Sequence, residues 1–320
     1  MRKKTKFWLI TGAALVLVGG ILLGGVMGAM GWKFGNLGTV RYETTRHELR
    51  EDFRDIEIVT GTADITLVPA DQPAVVCHEA EKTKHRVQVR DGTLLITVED
   101  TRAWYDHIGF DFGTPEITVE IPAGEYGRVF IKSGTGDVTV PEQFRFASLT
   151  VKGSTGDVES KAPVTGALDI RLSTGHIRLE ELEAGSMALA VSTGQVKVSE
   201  VSCTGEVSLE VSTGKAELRA LTCGSFRTEG GTGDILLQTV TAAERLCVTR
   251  TTGHVEFDRC DGGEVYVKTN TGDVTGSFLT EKIFLVQTGT GDVDVPNSVT
   301  GGRCQVSTST GDVELWTGEK

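Results

Sequence analysis

The chain has 320 residues, with 40 Gly, 7 Pro and a formal net charge of −12. That length can bury a large core in one domain or two. The acidic balance repels phosphate-rich polymers, which argues against nucleic acid as a partner, and against anionic wall polymers unless divalent cations bridge them.

Arg2, Lys3, Lys4 and Lys6 form a basic stub, and residues 7–32 then run for 26 positions without a charge. About 20 apolar residues span a bilayer, whereas secretory h-regions are only ~7–15 long. Residues 7–32 therefore read as a transmembrane anchor behind a cytoplasmic stub, residues 1–6. A cleaved signal peptide is the alternative, since Ala29 lies in a stretch of small residues. Basic residues stay cytoplasmic, so the expected localisation is the cell membrane, single-pass, with the N-terminus cytoplasmic and the bulk extracellular. With the four stub residues set aside, 28 basic side chains face 44 acidic ones, a net of −16. Gly20, Gly24 and Gly28 recur every fourth position, a face on which two helices can approach closely.

Residues 33–52 read as a linker, and residues 53–125 as irregular first rungs and a cap. Within them IEIVTGTADITLV, residues 56–68, is a worn copy of a unit that recurs downstream, with Ala63 where later copies have Gly. Residues 75–77, 87–98 and 117–121 read as strands, with a turn at Asp91-Gly92. The stretch TRAWYDHIGFDFG, residues 101–113, interrupts the pattern and gathers Trp104, Tyr105, His107, Phe110 and Phe112. Packing over the first rungs is the plainer role for these aromatics. A recognition loop is the functional one, and these five residues are the best binding patch the sequence offers.

From residue 126 to 320 the pattern is regular. Thr-Gly recurs at Gly136, Gly156, Gly175, Gly194, Gly214, Gly233, Gly253, Gly272, Gly291 and Gly311, at intervals of 19 or 20. A fixed period of this size marks a repeat architecture in which each unit buries its core against its neighbours. Two residues after each Gly all ten positions are apolar; five residues before it nine are, with Thr228 the exception. Charged and hydroxylic residues fall between, so each unit is strand, Thr-Gly corner, strand and polar connector. Tight two-residue hairpins disfavour a β-branched Thr at their first loop position. Thr-Gly instead suits a type II turn, with Gly supplying the positive φ. The expected fold is all-β: a parallel β-solenoid of about ten 19–20-residue rungs, roughly 45 Å long at ~4.8 Å per rung. Irregular N-terminal rungs and one transmembrane helix precede it.

The stretch VKGSTGDVES, residues 151–160, looks like a phosphate loop, but no helical pattern follows and no Gly-Lys-Ser/Thr occurs. No cofactor motif is present. Asp follows the corner Gly in six units, while His176, Gln195, Lys215 and His254 occupy the same column elsewhere. The Asp therefore reads as a turn residue accepting backbone hydrogen bonds. Asp273, Asp292 and Asp312, on consecutive units, are the alternative calcium ligands.

Cys203 and Cys223 each lie nine residues after their Gly. Adjacent rungs would place their Cα atoms ~5 Å apart, within disulfide range. The absence of CxxC argues against zinc, and Cys304 falls in an inward column. Glycoside hydrolysis needs two facing carboxylates, and no pair is marked; nor is there a GxSxG elbow. The chain is therefore not expected to be an enzyme. It ends just after Glu314-Leu315-Trp316 with no visible cap. That predicts an open edge on the last rung, covered by a partner such as a second copy.

The basic stub, the span, the worn unit and the repeated GTGDVTV, STGDVES, STGHIRL and TGDVEL together resemble the bacterial putative-adhesin family, a β-strand-repeat domain of unknown function, over about residues 53–315. The resemblance implies a membrane-associated protein of Gram-positive bacteria, tied in some members to envelope stress, with no agreed catalytic residues to carry over. The resulting expectation is a membrane-anchored extracellular β-solenoid acting as a non-catalytic binding or scaffold module of the cell envelope. Its partners would be other envelope proteins or itself. An adhesin for a wall or host ligand is the first alternative, and a polysaccharide-acting β-helix enzyme the second.

Overall fold

The computed structural model describes residues 3–29, 40–100 and 113–318. Its first element is helix α1 (Lys3–Ala29), 27 residues long, or about 40 Å at 1.5 Å per residue. Trp8, Leu15, Val16, Ile21 and Leu22 are exposed along it. Counted over the described residues, no helix is long and apolar enough to cross a membrane. Beside that stand the length of α1 and a sequence without charge from Phe7 onward.

Beyond the helix, the described residues form twenty-one strands in one hydrogen-bonded network. The repeating unit is clearest in β13 (Glu183–Cys203) and β14 (Glu206–Thr232). They pair in parallel, with Leu189 opposite Leu209, Gly194 opposite Gly214 and Val198 opposite Leu218. Along β13 the buried side chains are Met187, Leu189 and Val191, then Val196 and Val198, then Val201 and Cys203. Positive-φ bends at Gly194 and Glu200 separate the three runs. Period-two alternation sends every second side chain inward, and stacking places like on like. Each fully buried aliphatic contributes about 1.5–3 kcal/mol, and a rung has no partner for its apolar face except the next rung.

The Thr-Gly corner differs from the expected type II turn. Gly194 and Gly214 have φ of 151° and 136°, well past the ~+80° of that turn. The parallel ladder runs through them, so the corner is a kink in a continuous strand. Space also demands Gly: a Cβ on Gly214 would lie 1.7 Å from the Gly194 carbonyl oxygen. Six residues after the Gly comes a second corner. Glu181, Glu200, Ala220, Thr239 and Arg259 all have φ between 50° and 55°. None is Gly, Asn or Asp, the usual residues of that region, so stacking of the rungs holds the bend.

At the N-terminal end the worn copy is a true rung. β2 (Asp55–Thr62) and β3 (Asp64–Pro69) stack on β8 (Gly124–Thr135) and β9 (Val138–Val140). Ile58 lies opposite Ile131 and Ile65 opposite Val138, and buried Ala63 holds the corner. On its other side β6 (Thr93–Asp100) and β7 (Glu116–Ile121) continue in parallel. Then the direction reverses. β5 (Thr83–Arg90) is antiparallel to β6, β4 (Ala74–Ala80) to β7, and β1 (Tyr42–Glu48) to β4.

At the other end the chain departs from sequence order. β16 (Val255–Thr271) and β17 (Val274–Phe278) pair with β20 (Gly302–Thr310) and β21 (Val313–Thr317). These in turn pair with β18 (Lys282–Thr290) and β19 (Val293–Asp294). The last unit is thus inserted between its two predecessors. Insertion corrects the expectation of an open edge at Glu314–Trp316: β21 has a partner on each side, and the open rung is residues 282–294. Lys282 secures the arrangement. Its side chain is 2% exposed and lies over Gly302, where a Cβ would sit 3.5 Å from Nζ. Nζ donates to the Gly262 carbonyl at 2.9 Å and the Thr280 hydroxyl at 2.8 Å, and pairs with Asp261. The side chain therefore reaches across the inserted rung.

Candidate functional site

The aromatic stretch Trp104, Tyr105, His107, Phe110 and Phe112 lies outside the described residues. The ten corner glycines stack in one column, and the Asp residues beside them form a ladder. Asp157 N–H donates to Asp137 Oδ1 at 2.7 Å, and His254 N–H to Asp234 Oδ1 at 2.9 Å. Asp273, Asp292 and Asp312 do come together, but with Asp312 in the middle. Its amide donates to Asp273 Oδ1 at 2.9 Å, and the Asp292 amide donates to Asp312 Oδ1 at 2.8 Å. Asp137, Asp234, Asp273 and Asp312 thus each satisfy an amide of the adjacent rung, which by itself accounts for Asp in this column.

All six cysteines are free thiols, so the anticipated Cys203–Cys223 bridge is not formed. The two do sit on adjacent rungs, but their thiols turn apart. Cys203 Sγ donates back to the Gly185 carbonyl at 3.6 Å, and Cys223 Sγ forward to the Thr241 carbonyl at 3.7 Å. Burial raises both, pushing the Cys223 thiol up to about 12. Cys304 is buried, as its inward column requires.

An open groove of ≈ 630 Å³ is lined by Ser225, Arg227, Glu244, Arg245, Cys247 and Glu264. Within it Arg245 pairs with Glu264 at 3.2 Å, Arg227 pairs with Glu229, and Ser225 donates to Glu244 at 3.0 Å. The open rung is different. Leu285 and Val293 are each 46% exposed, and Leu279 and Val299 beside them are also exposed. Residues 283–291 carry no charge. Phe284 anchors this strand inward, its ring 6.3 Å from that of Phe278, which lies tilted against that of Phe257 at 5.2 Å.

A second cluster lies inside the cap. Cys77 and Glu79 are two apart on β4 and so share its inner face; His85 comes from β5, across the turn at Glu81 and Lys82. All three are buried, and their donor atoms lie within 4.8 Å of one another. His85 Nδ1 is 2.8 Å from Glu79 Oε2, and the His85 amide donates to the same oxygen at 2.6 Å. A carboxylate only accepts, so Nδ1 donates to Glu79, and in the neutral ring Nε2 then accepts from the Thr60 hydroxyl at 2.9 Å. Burial, with Glu79 adding to it, pushes the Cys77 thiol up to about 12. The chain Thr60–His85–Glu79 has the connectivity of a hydroxyl–imidazole–carboxylate relay. Thr60 is only 6% exposed, however, so its hydroxyl is out of reach of a polymer substrate. The sequence reading missed this cluster because it looked for CxxC. The usable signal was Cys-x-Glu on one strand face, a reverse turn, and then His.

The profile of the family described as Toastrack DUF4097 matches residues 53–214 and 204–320. No curated protein matches the chain. Among solved structures, a putative adhesin from Parabacteroides distasonis is 14% identical, with a TM-score of 0.47, over 87% of this chain and 98% of that one. A putative adhesin from Bacteroides fragilis is 14% identical, with a TM-score of 0.40, over 86% and 97%. A putative lipid binding protein from Parabacteroides distasonis is 14% identical, with a TM-score of 0.40, over 88% and 98%.

Proposed function

The chain belongs to the Toastrack DUF4097 family, and we propose that it is a membrane-anchored scaffold of the cell envelope whose open rung, residues 282–294, pairs with a second copy. The carrying observation is the chemistry of that edge. Its strand is uncharged from 283 to 291 and presents Leu285 and Val293 to solvent. An unpaired apolar edge is a template for strand addition. A second copy fits because the bodies are net negative and repel, and the run 283–291 of this edge is where they can meet without opposing like charges. Two identical edges related by a two-fold axis pair antiparallel and leave no further edge to grow from.

The anchor is supported by the basic stub, the charge-free run of residues 7–32 and the 27-residue helix that begins in it. In this reading the β-solenoid lies outside the membrane and acts by binding, without chemistry of its own.

The experiment is crosslinking of the full-length protein in cells, followed by mass spectrometry, for the wild type and Leu285→Lys. The expected result is a self-adduct that the substitution abolishes. Adducts only with wall glycan or a foreign surface protein would support the adhesin reading instead. A self-adduct indifferent to Leu285→Lys would remove the open rung from the account.

A further inference from the structure

We propose that Cys77, Glu79 and His85 bind a divalent metal ion of the zinc class inside the cap. This inference is independent of the pairing of the open rung, which lies at the opposite end of the solenoid.

Sulfur, oxygen and nitrogen donors come together within 4.8 Å in a buried space, the one such group among the described residues. Around a tetrahedral ion with bonds of about 2.0–2.3 Å, donor atoms sit roughly 3.5 Å apart. A movement of about an ångström would gather these three, well within the freedom of side-chain torsions. The strands that carry them are pinned from outside the cluster: β4 by β1 and β7, with Cys77 opposite Ile117, and β5 by β6, with His85 opposite Val98.

As a thiolate, Cys77 would face the Glu79 carboxylate in an apolar interior, two like charges that a cation between them compensates. A dication with one thiolate, one carboxylate and one neutral imidazole is electroneutral, the form in which buried charge costs least. Thiolate and imidazole donors select a zinc-class ion over calcium or magnesium, which prefer all-oxygen shells.

The ion would take the place of the proton now shared between His85 Nδ1 and Glu79 Oε2. The imidazole proton then moves to Nε2 and is donated to the Thr60 hydroxyl, 2.9 Å away. Thr60 thereby becomes the outer partner that fixes the orientation of the ring. Cys77 releases its thiol proton to solvent, so binding liberates one proton per ion. A water completes the coordination.

The test uses full-length protein in detergent micelles, stripped with a chelator and titrated with Co²⁺ as the probe. The expected result is one equivalent per chain, with a thiolate-to-cobalt charge-transfer band that Zn²⁺ abolishes by displacement. Cys77→Ser should lose the band while keeping the β-sheet circular dichroism of the wild type, and Cys304→Ser, a buried thiol at the other end, should keep it. Zn²⁺ should raise the unfolding temperature of the wild type. Because the wild-type titration needs no variant, a folded protein that binds no Co²⁺ overturns the proposal outright. A charge-transfer band that survives in Cys77→Ser overturns it too, by placing the metal elsewhere.

Discussion

At the cap end the outermost strands are β1, YETTRHE, and β5, TKHRVQVR; at the other end the outermost strand is β18, KIFLVQTGT. Among the described residues each of these strands has a neighbouring strand on one side only, but the side chains around them differ in kind. The cap edges carry charge in alternation, and charged pairs such as Arg46–Glu120 at 2.7 Å and Arg86–Glu99 at 3.4 Å cover them. Exposed pairs of this sort add little stability. Their effect is to make an incoming strand displace charged groups from water. β18 has no such barrier. One end is therefore closed by reversed strands and charge, and the other is left fit for a partner.

The internal fixings of the two ends differ in the same way. The cap is held by a buried His–Glu pair, the open end by a buried Lys that crosses an inserted rung. Glu79→Ala should be the most damaging substitution, because it strands the His85 ring and amide in an apolar interior. Two buried donors left without their acceptor cost about 2–6 kcal/mol together, read from denaturant unfolding. Hydrogen exchange should show β4 to β7 losing protection first, while residues 164–252 keep theirs. A loss spread evenly along the solenoid would contradict the division into ends.

Lys282→Met should cost less, about 1–3 kcal/mol, by leaving the Gly262 carbonyl without its donor and Asp261 without its cation, while Asp261 keeps the Thr280 hydroxyl and the Gly262 amide. Loss of exchange protection should be confined to residues 282–317. If the inserted order is wrong, this variant will leave those residues as protected as before. Between the ends, Thr239→Gly should stabilise by about 1 kcal/mol, since a β-branched residue at φ 54° is relieved of left-handed strain. A destabilised Thr239→Gly protein would mean that side-chain contacts, rather than backbone strain, decide at the second corner.

Much of this was legible in the sequence, for a physical reason. The alternation that buries Leu189, Val196 and Val198 is written in period two, and the stacking of Gly194 on Gly214 is written in the 19–20-residue interval. Even the worn unit could be placed, because Ile58 and Ile65 keep the inward parity. The order of the last rungs could not. Residues 282–294 and 302–317 carry the same pattern, so either can stack on residues 265–278, and Lys282 reaching over Gly302 settles it. The second corner was hidden because Glu200 and Arg259 are not turn residues by composition. The cap cluster was hidden because Cys77 and Glu79 meet His85 only after β4 and β5 reverse the chain direction.

The most direct test of the difference between the ends is a photo-crosslinking residue placed at Leu285 on β18 or at Arg86 on β5, each in full-length protein in cells. Both positions are exposed, so neither substitution should disturb the core. The account predicts a strong adduct with a second copy from position 285 and none from position 86. Equal labelling from both positions, or an adduct from position 86 alone, would contradict it.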